Sequence, residues 1–404
     1  MSTTTPRTVE GTAWQRRLGA AAGCMAVGVL VHLAVLPAPL ATVALGIGLV
    51  GAAFLLAWAA DAGEAVFTGG LVLAVIALVT VLPEFIIEIR FAYTQQTELV
   101  TANLTGATRL LLTGATALPL AVAFIARRKG QAAASFELAT SRRLELGMLL
   151  MTSVFAIQIV ARGSLTLADG IVLVALYVLY ARRVRGTPEE EPAVVGVPAG
   201  LLSLPTRYRR PVIAALIVAS AAVVVTIANP FADALLETGT SLGIDPYFLI
   251  QAAVPLATET PEFVVVAVLV LNRRPAQGLA LFLAASVSQW TLAIGALPIA
   301  FLAGGGGASL PLGLHEQVEL GLTIALTLFA VGALASLRPE RADAALIVGV
   351  LVIQFIYPTA FVHIAATFVL LAFAIDLVFA RRRAVRPLVR AVIARRAPPA
   401  VGRE

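Results

Sequence analysis

Glu84 and Glu262 are the residues of this sequence whose type and setting most clearly call for chemistry. Each follows a proline and precedes a phenylalanine, in Leu82-Pro83-Glu84-Phe85 and Thr260-Pro261-Glu262-Phe263, and each lies deep in an apolar run. A carboxylate inside a membrane helix costs about 2.5–3.5 kcal/mol on insertion scales, and these two sit too far from a helix end to reach the interface. The proline before each removes one backbone N–H and releases a carbonyl one turn earlier. Together with hydroxyls at Thr80, Thr258, Thr260, Ser286 and Ser288, the carboxylates and freed carbonyls make a hard-oxygen set suited to Na⁺, Ca²⁺ or hydronium. The competing reading is a pair of buried glutamates, each tied to an arginine or held protonated, that lock helices together; the Pro-Glu-Phe shared by both halves favours the ion site.

Other polar residues gather around these two. Glu259 precedes Glu262 by three residues and shares its helical face, as a third site carboxylate. Glu88 lies one turn beyond Glu84, nearer the outer end, where it lines the access path or pairs with Arg90. Arg109 is deep in its helix and requires an anionic partner. Glu88, another acid behind the site and a role in place of a bound cation all remain open for it. Trp290 reads as core packing, Pro255 as a kink, and Asp61 and Asp233 as interfacial.

The elements that hold these residues follow from composition. Of 404 residues, 59% are hydrophobic and 13% charged, whereas soluble domains are about a quarter charged. An ordinary soluble enzyme is excluded, and the chain reads as a polytopic membrane protein without enzymatic activity. Cys24 is alone, and His32, His315 and His363 are scattered. No disulfide framework, zinc-thiolate site or cofactor is expected. No nucleotide-binding loop occurs, which argues against ATP-driven pumping.

Twelve membrane helices are expected, over residues 18–37, 40–60, 65–93, 97–125, 146–161, 166–181, 211–235, 246–271, 276–302, 318–336, 343–358 and 361–380. With both termini cytoplasmic, 26 of the 29 basic residues fall inside, leaving Arg90, Arg109 and Arg162. The net charge of +6 is thus anchoring charge; lipid and transported cations are the expected partners, not nucleic acid. The cell membrane is the expected location. Residues 182–210 read as a solvated hinge, and Gly304–Gly307 as a flexible external loop.

The halves resemble one another. Ala60-Asp61 precedes the first Pro-Glu-Phe and Ala232-Asp233 the second. Small-residue stretches follow, Ala102–Thr108 and Ala284–Gln289. Five core helices per half make the repeats inverted, a plan common among secondary transporters. The organisation is then 1–39 (N-terminus and extra helix), 40–181 (first repeat), 182–210 (linker), 211–358 (second repeat) and 359–404 (extra helix and basic tail).

At these residues the sequence resembles the calcium/cation antiporter superfamily of sodium/calcium and calcium/proton exchangers. Thr80-Val81-Leu82-Pro83-Glu84 is similar to the first-repeat pattern Gly-Thr-Ser-Leu-Pro-Glu, and Thr258-Glu259-Thr260-Pro261-Glu262 to the second. Asn103 to Ala107 is similar to Gly-Asn-x-x-Gly-Ser, and Ser286-Val287-Ser288-Gln289 to the Gly-Ser-x-x-Gln of the calcium/proton branch. The resemblance implies that Glu84 and Glu262 are paired ion (metal) ligands, with Thr80, Thr258, Asn103, Ser286 and Gln289 as lesser ligands. It also implies exchange of Ca²⁺, Na⁺ or K⁺ against H⁺ or Na⁺ by alternating access. Val79, Ala257, Val81, Glu259, Ala107 and Leu111 depart from the pattern. The oxygens lost there count against multiple sodium sites and favour H⁺ as counter-ion. A non-transporting scaffold or sensor, and a channel or carrier of uncharged solute, are the competing readings.

Overall fold

Long apolar segments broken by Pro, Gly and arginine clusters fold as helices. The computed structural model describes residues 13–67, 81–128, 136–184, 194 and 196–393. In chain order the helices are α1 (Ala13–His32), α2 (Ala38–Val66), α3 (Leu82–Tyr93), α4 (Thr97–Arg128), α5 (Arg143–Arg162), α6 (Leu167–Val184) and the short α7 (Val197–Leu202). They continue as α8 (Thr206–Leu242), α9 (Pro246–Thr258), α10 (Thr260–Leu271), α11 (Pro275–Ser288), α12 (Ile294–Ala303), α13 (Leu314–Leu334), α14 (Arg341–Ile356), α15 (Ala360–Ala380) and α16 (Arg382–Ile393). Among the described residues, seven helical segments are long and apolar enough to cross a membrane, and the bent pair α9–α10 would make eight. The chain is an all-helical integral membrane protein.

Several expectations are corrected. The span expected over 246–271 is two helices meeting at 52°. The segment expected over 276–302 passes from α11 through a π-turn, Gln289–Ala293, into α12. Of the helix expected over 65–93, only its end lies in α3; residues 68–80 fall outside the described residues. Part of the 182–210 hinge is folded: Val197 and Leu201 of α7 are buried with Ala62 and Ile213, against Trp14 and Trp58. After the glycine run, Ser309–Pro311 forms a strand (β2) antiparallel to Ser164–Thr166 (β1). The Gln95 side chain donates to the Gly304 carbonyl at 3.0 Å, so this loop is tied down.

The chain forms two compact units, each made of two stretches: Met1–Ile87 with Glu191–Pro261, and Glu88–Glu190 with Glu262–Glu404. In the first, α2 packs on α1 and α8. The α1–α2 crossing depends on glycine, because a Cβ at residue 48 would lie 2.4 Å from the Gly28 Cα. Hydrocarbon supplies no hydrophobic drive for such a contact, so close backbone approach takes its place. A hydrogen bond of 2.8 Å joins Thr42 to Thr238 between α2 and α8.

In the second unit α13 is central, against α4, α5 and α15. Its apolar window is 78% buried, whereas that of α15 is 17% buried. Phe361, Phe368 and Phe379 on α15 are largely exposed, so this helix offers its side chains to lipid.

Candidate ion-binding site

Both Pro-Glu-Phe motifs open a helix. Glu84 is in the first turn of α3, and Glu262 in the first turn of α10. Proline is well tolerated there because its missing N–H would have no intrahelical partner. Glu262 therefore stands at a helix break and not in the middle of the continuous span expected over 246–271, and Glu84 stands in the first turn of the described part of the span expected over 65–93. For Glu262 the break is explicit: α9 ends at Thr258, Glu259 caps it, and α10 starts at Thr260. Pro255, inside α9, supplies no N–H to that helix's ladder a few residues before the break.

In the first unit Glu84, Thr258 and Glu259 are all buried. The Thr258 hydroxyl donates to the Val254 carbonyl at 3.1 Å, which leaves its oxygen lone pairs for other work. Thr80 lies outside the described residues.

In the second unit Glu88 and Asn103 are buried and joined, with the Asn103 amide donating to Glu88 Oε1 at 3.2 Å. Glu262 is half-buried. Ser286 is fully buried and donates to the Phe282 carbonyl at 2.7 Å. Gln289 is buried at the start of the π-turn, a local widening that recurs at functional positions. Among the described residues no donor reaches Glu88 Oε2, Asn103 Oδ1 or Gln289 Oε1. Buried acceptors without donors are costly unless something else satisfies them, and oxygens are the ligands that hard cations take. No group of three or more His, Cys, Asp and Glu side chains among the described residues is spaced to hold a metal, so any cation here depends on amide and hydroxyl oxygens as well.

Arg109 does not pair with Glu88. Its guanidinium forms an ion pair with Glu319 at 2.7 Å, both side chains being essentially unexposed. It also donates to Thr323 Oγ1 at 2.8 Å, to the Glu319 carbonyl at 2.5 Å and to Gln354 Oε1 at 3.3 Å. His363 Nδ1 meets the other Glu319 oxygen, and Trp290 donates to Thr327 Oγ1 at 3.0 Å. Arg109, Glu319 and His363 thus form a buried network across α4, α13 and α15. Glu319 and His363 were not singled out from sequence.

Residues 37–184 match the sodium/calcium exchanger protein family. No curated protein matches the chain significantly. The fold superposes on the crystal structure of the H⁺/Ca²⁺ exchanger CAX with a TM-score of 0.86 and 30% identity, covering 94% of this chain and 98% of that one. The Ca²⁺/H⁺ antiporter YfkE aligns with a TM-score of 0.62 at 14% identity, over 85% of this chain and 98% of its own. The sodium-calcium exchanger NCX_Mj aligns at 0.50 and 15%, over 84% and 99%. These last two share the fold. A chain 30% identical to an exchanger over nearly its whole length, with a family match across its first half, belongs to the calcium/cation antiporter superfamily.

Proposed function

We propose that this protein exchanges a cation, Ca²⁺ or alternatively Na⁺ or K⁺, against H⁺ across the cell membrane by alternating access. The observation that carries this reading is the placement of Glu84 and Glu262 in the first turns of two helices that each begin with a proline-containing motif. Secondary transporters place their substrate and ion sites where spanning helices are interrupted. Glu84 and Glu262 are the principal ligands in this proposal, with Glu259, Thr80, Thr258, Asn103, Ser286 and Gln289 supplying further oxygens. Glu88, held by Asn103, lines the path to them. The repeats are 40–181 and 211–358, inverted, with twelve spans in all.

A cation and a proton that compete for the same carboxylates cannot both be bound, and that competition is the minimum requirement for coupled exchange. The 30% identity to the H⁺/Ca²⁺ exchanger, against 15% to the sodium-calcium exchanger, supports the proton as counter-ion. In proteoliposomes an acid lumen is expected to drive Ca²⁺ uptake in sodium-free buffer and to become alkaline in step. Na⁺ and K⁺ are tried in turn. Uptake indifferent to pH but driven by an imposed Na⁺ gradient would defeat the proton assignment.

Both termini are proposed to be cytoplasmic. With Cys24 replaced by serine, a single cysteine at Arg338, an exposed position, is expected to react with an impermeant maleimide only from the cytoplasm. One at Gly305 is expected to react only from outside. The reverse pattern at either position would overturn the orientation.

A further inference from the structure

The C-terminal helix α16 has no part in the exchange site, yet its residues are sorted with unusual sharpness. Leu388 and Val392, one turn apart, are buried. They lie against α5, where a Cβ at residue 147 would come within 2.4 Å of the Leu388 carbonyl oxygen. Arg183, near the end of α6, donates to the Ala391 carbonyl at 3.0 Å. Helix α16 follows α15 directly, so it touches the beginning of α5 and the ends of α6 and α15. A basic amphipathic helix that touches the ends of spanning helices suits the interface of one membrane face.

Its remaining faces are unpartnered. Val389 and Ile393 are exposed, and Arg382, Arg386 and Arg390 follow one another at one-turn intervals beside them. Arg381 is consumed by the protein: it bonds the Gly332 and Ala333 carbonyls, Glu340 and Asp343. Among the described residues no acid or carbonyl engages Arg382, Arg386 or Arg390. Between α15 and α16 runs an open groove lined alternately by Val378, Val385 and Val389 and by these three arginines. At one-turn spacing Val385 and Val389 form one stripe along α16, and the three arginines form the adjoining stripe.

We propose that this groove binds an anionic phospholipid, its phosphate held by Arg382, Arg386 and Arg390 and an acyl chain lying along Val378, Val385 and Val389. Juxtamembrane arginine clusters attract acidic lipids, guanidinium groups match phosphate oxygens geometrically, and a free anion would leave the valine stripe uncovered.

The test uses the full-length protein purified in neutral detergent and follows Tm as lipid is added. Phosphatidylglycerol is expected to raise Tm by several degrees, phosphatidylcholine to have little effect, and inorganic phosphate none. The variant R382Q/R386Q/R390Q is expected to keep the starting Tm and lose the phosphatidylglycerol response. If that variant misfolds, R386E alone is expected to weaken the response, and added salt to abolish it in the unaltered protein. Equal stabilisation by both lipids, a full response in the variants, or an equal shift with phosphate would each overturn the proposal.

Discussion

Glu84→Gln and Glu262→Gln are each expected to abolish cation exchange while leaving the protein folded and inserted. The substitution removes a charge but almost no volume, and a neutral amide is cheaper to keep in hydrocarbon than a carboxylate. Loss of one charge-assisted ligand is worth about 1.5–3 kcal/mol, which is about 10- to 100-fold in cation affinity. The effect on coupled exchange is larger, because the amide also loses the proton site, so that neither direction of the cycle is completed. Flux measured with equal amounts of reconstituted protein is the readout. Near-normal exchange in either variant would remove that glutamate from the site.

The second large effect is structural. Arg109→Met alone leaves Glu319 buried without its guanidinium, and Glu319→Gln alone leaves Arg109 buried without its carboxylate. Breaking a buried pair from one side typically costs about 3–5 kcal/mol, and here both side chains are shielded, at 2% and 0% exposure. Each single variant is therefore expected to show a sharply lowered Tm in detergent. The double variant, with both charges gone, is expected to recover most of the loss. Additive losses in the double variant would show that the two residues do not act as a pair.

How far the sequence discloses such features depends on whether the signal is local. Hydropathy and the arginine clusters locate most helices within a few residues, because spanning segments must be apolar and their ends need not be. The need of Arg109 for an anion was legible, since a deep guanidinium cannot remain alone. Its partner was not, because Glu319 stands 210 residues away in the second turn of α13. Glu319 is the second residue of the span expected over 318–336, and an acid at the end of a span is unremarkable. His363 looked like one of three unrelated histidines. The break at Thr258–Thr260 had a visible cause in Pro255 and Pro261, yet uninterrupted hydropathy concealed it. The π-turn at Gln289–Ala293 has no marker, as none of its five residues forces a wider turn. Tail arginines were read by charge alone, which hid the alternation with valine that makes α16 amphipathic.

The buried network also bears on the order in which the chain is made. At about 5–20 residues per second, the 210 residues between Arg109 and Glu319 correspond to roughly 10–40 seconds of synthesis. Through that interval the guanidinium, which does not deprotonate, has been delivered towards the bilayer ahead of its counter-charge. Until α13 supplies Glu319 and α15 His363, α4 carries an uncompensated guanidinium, a cost of about 2.5–3.5 kcal/mol on insertion scales. The first unit ends at Pro261, before Glu319 is made. The contacts that neutralise an early helix are thus among the later ones the growing chain can supply.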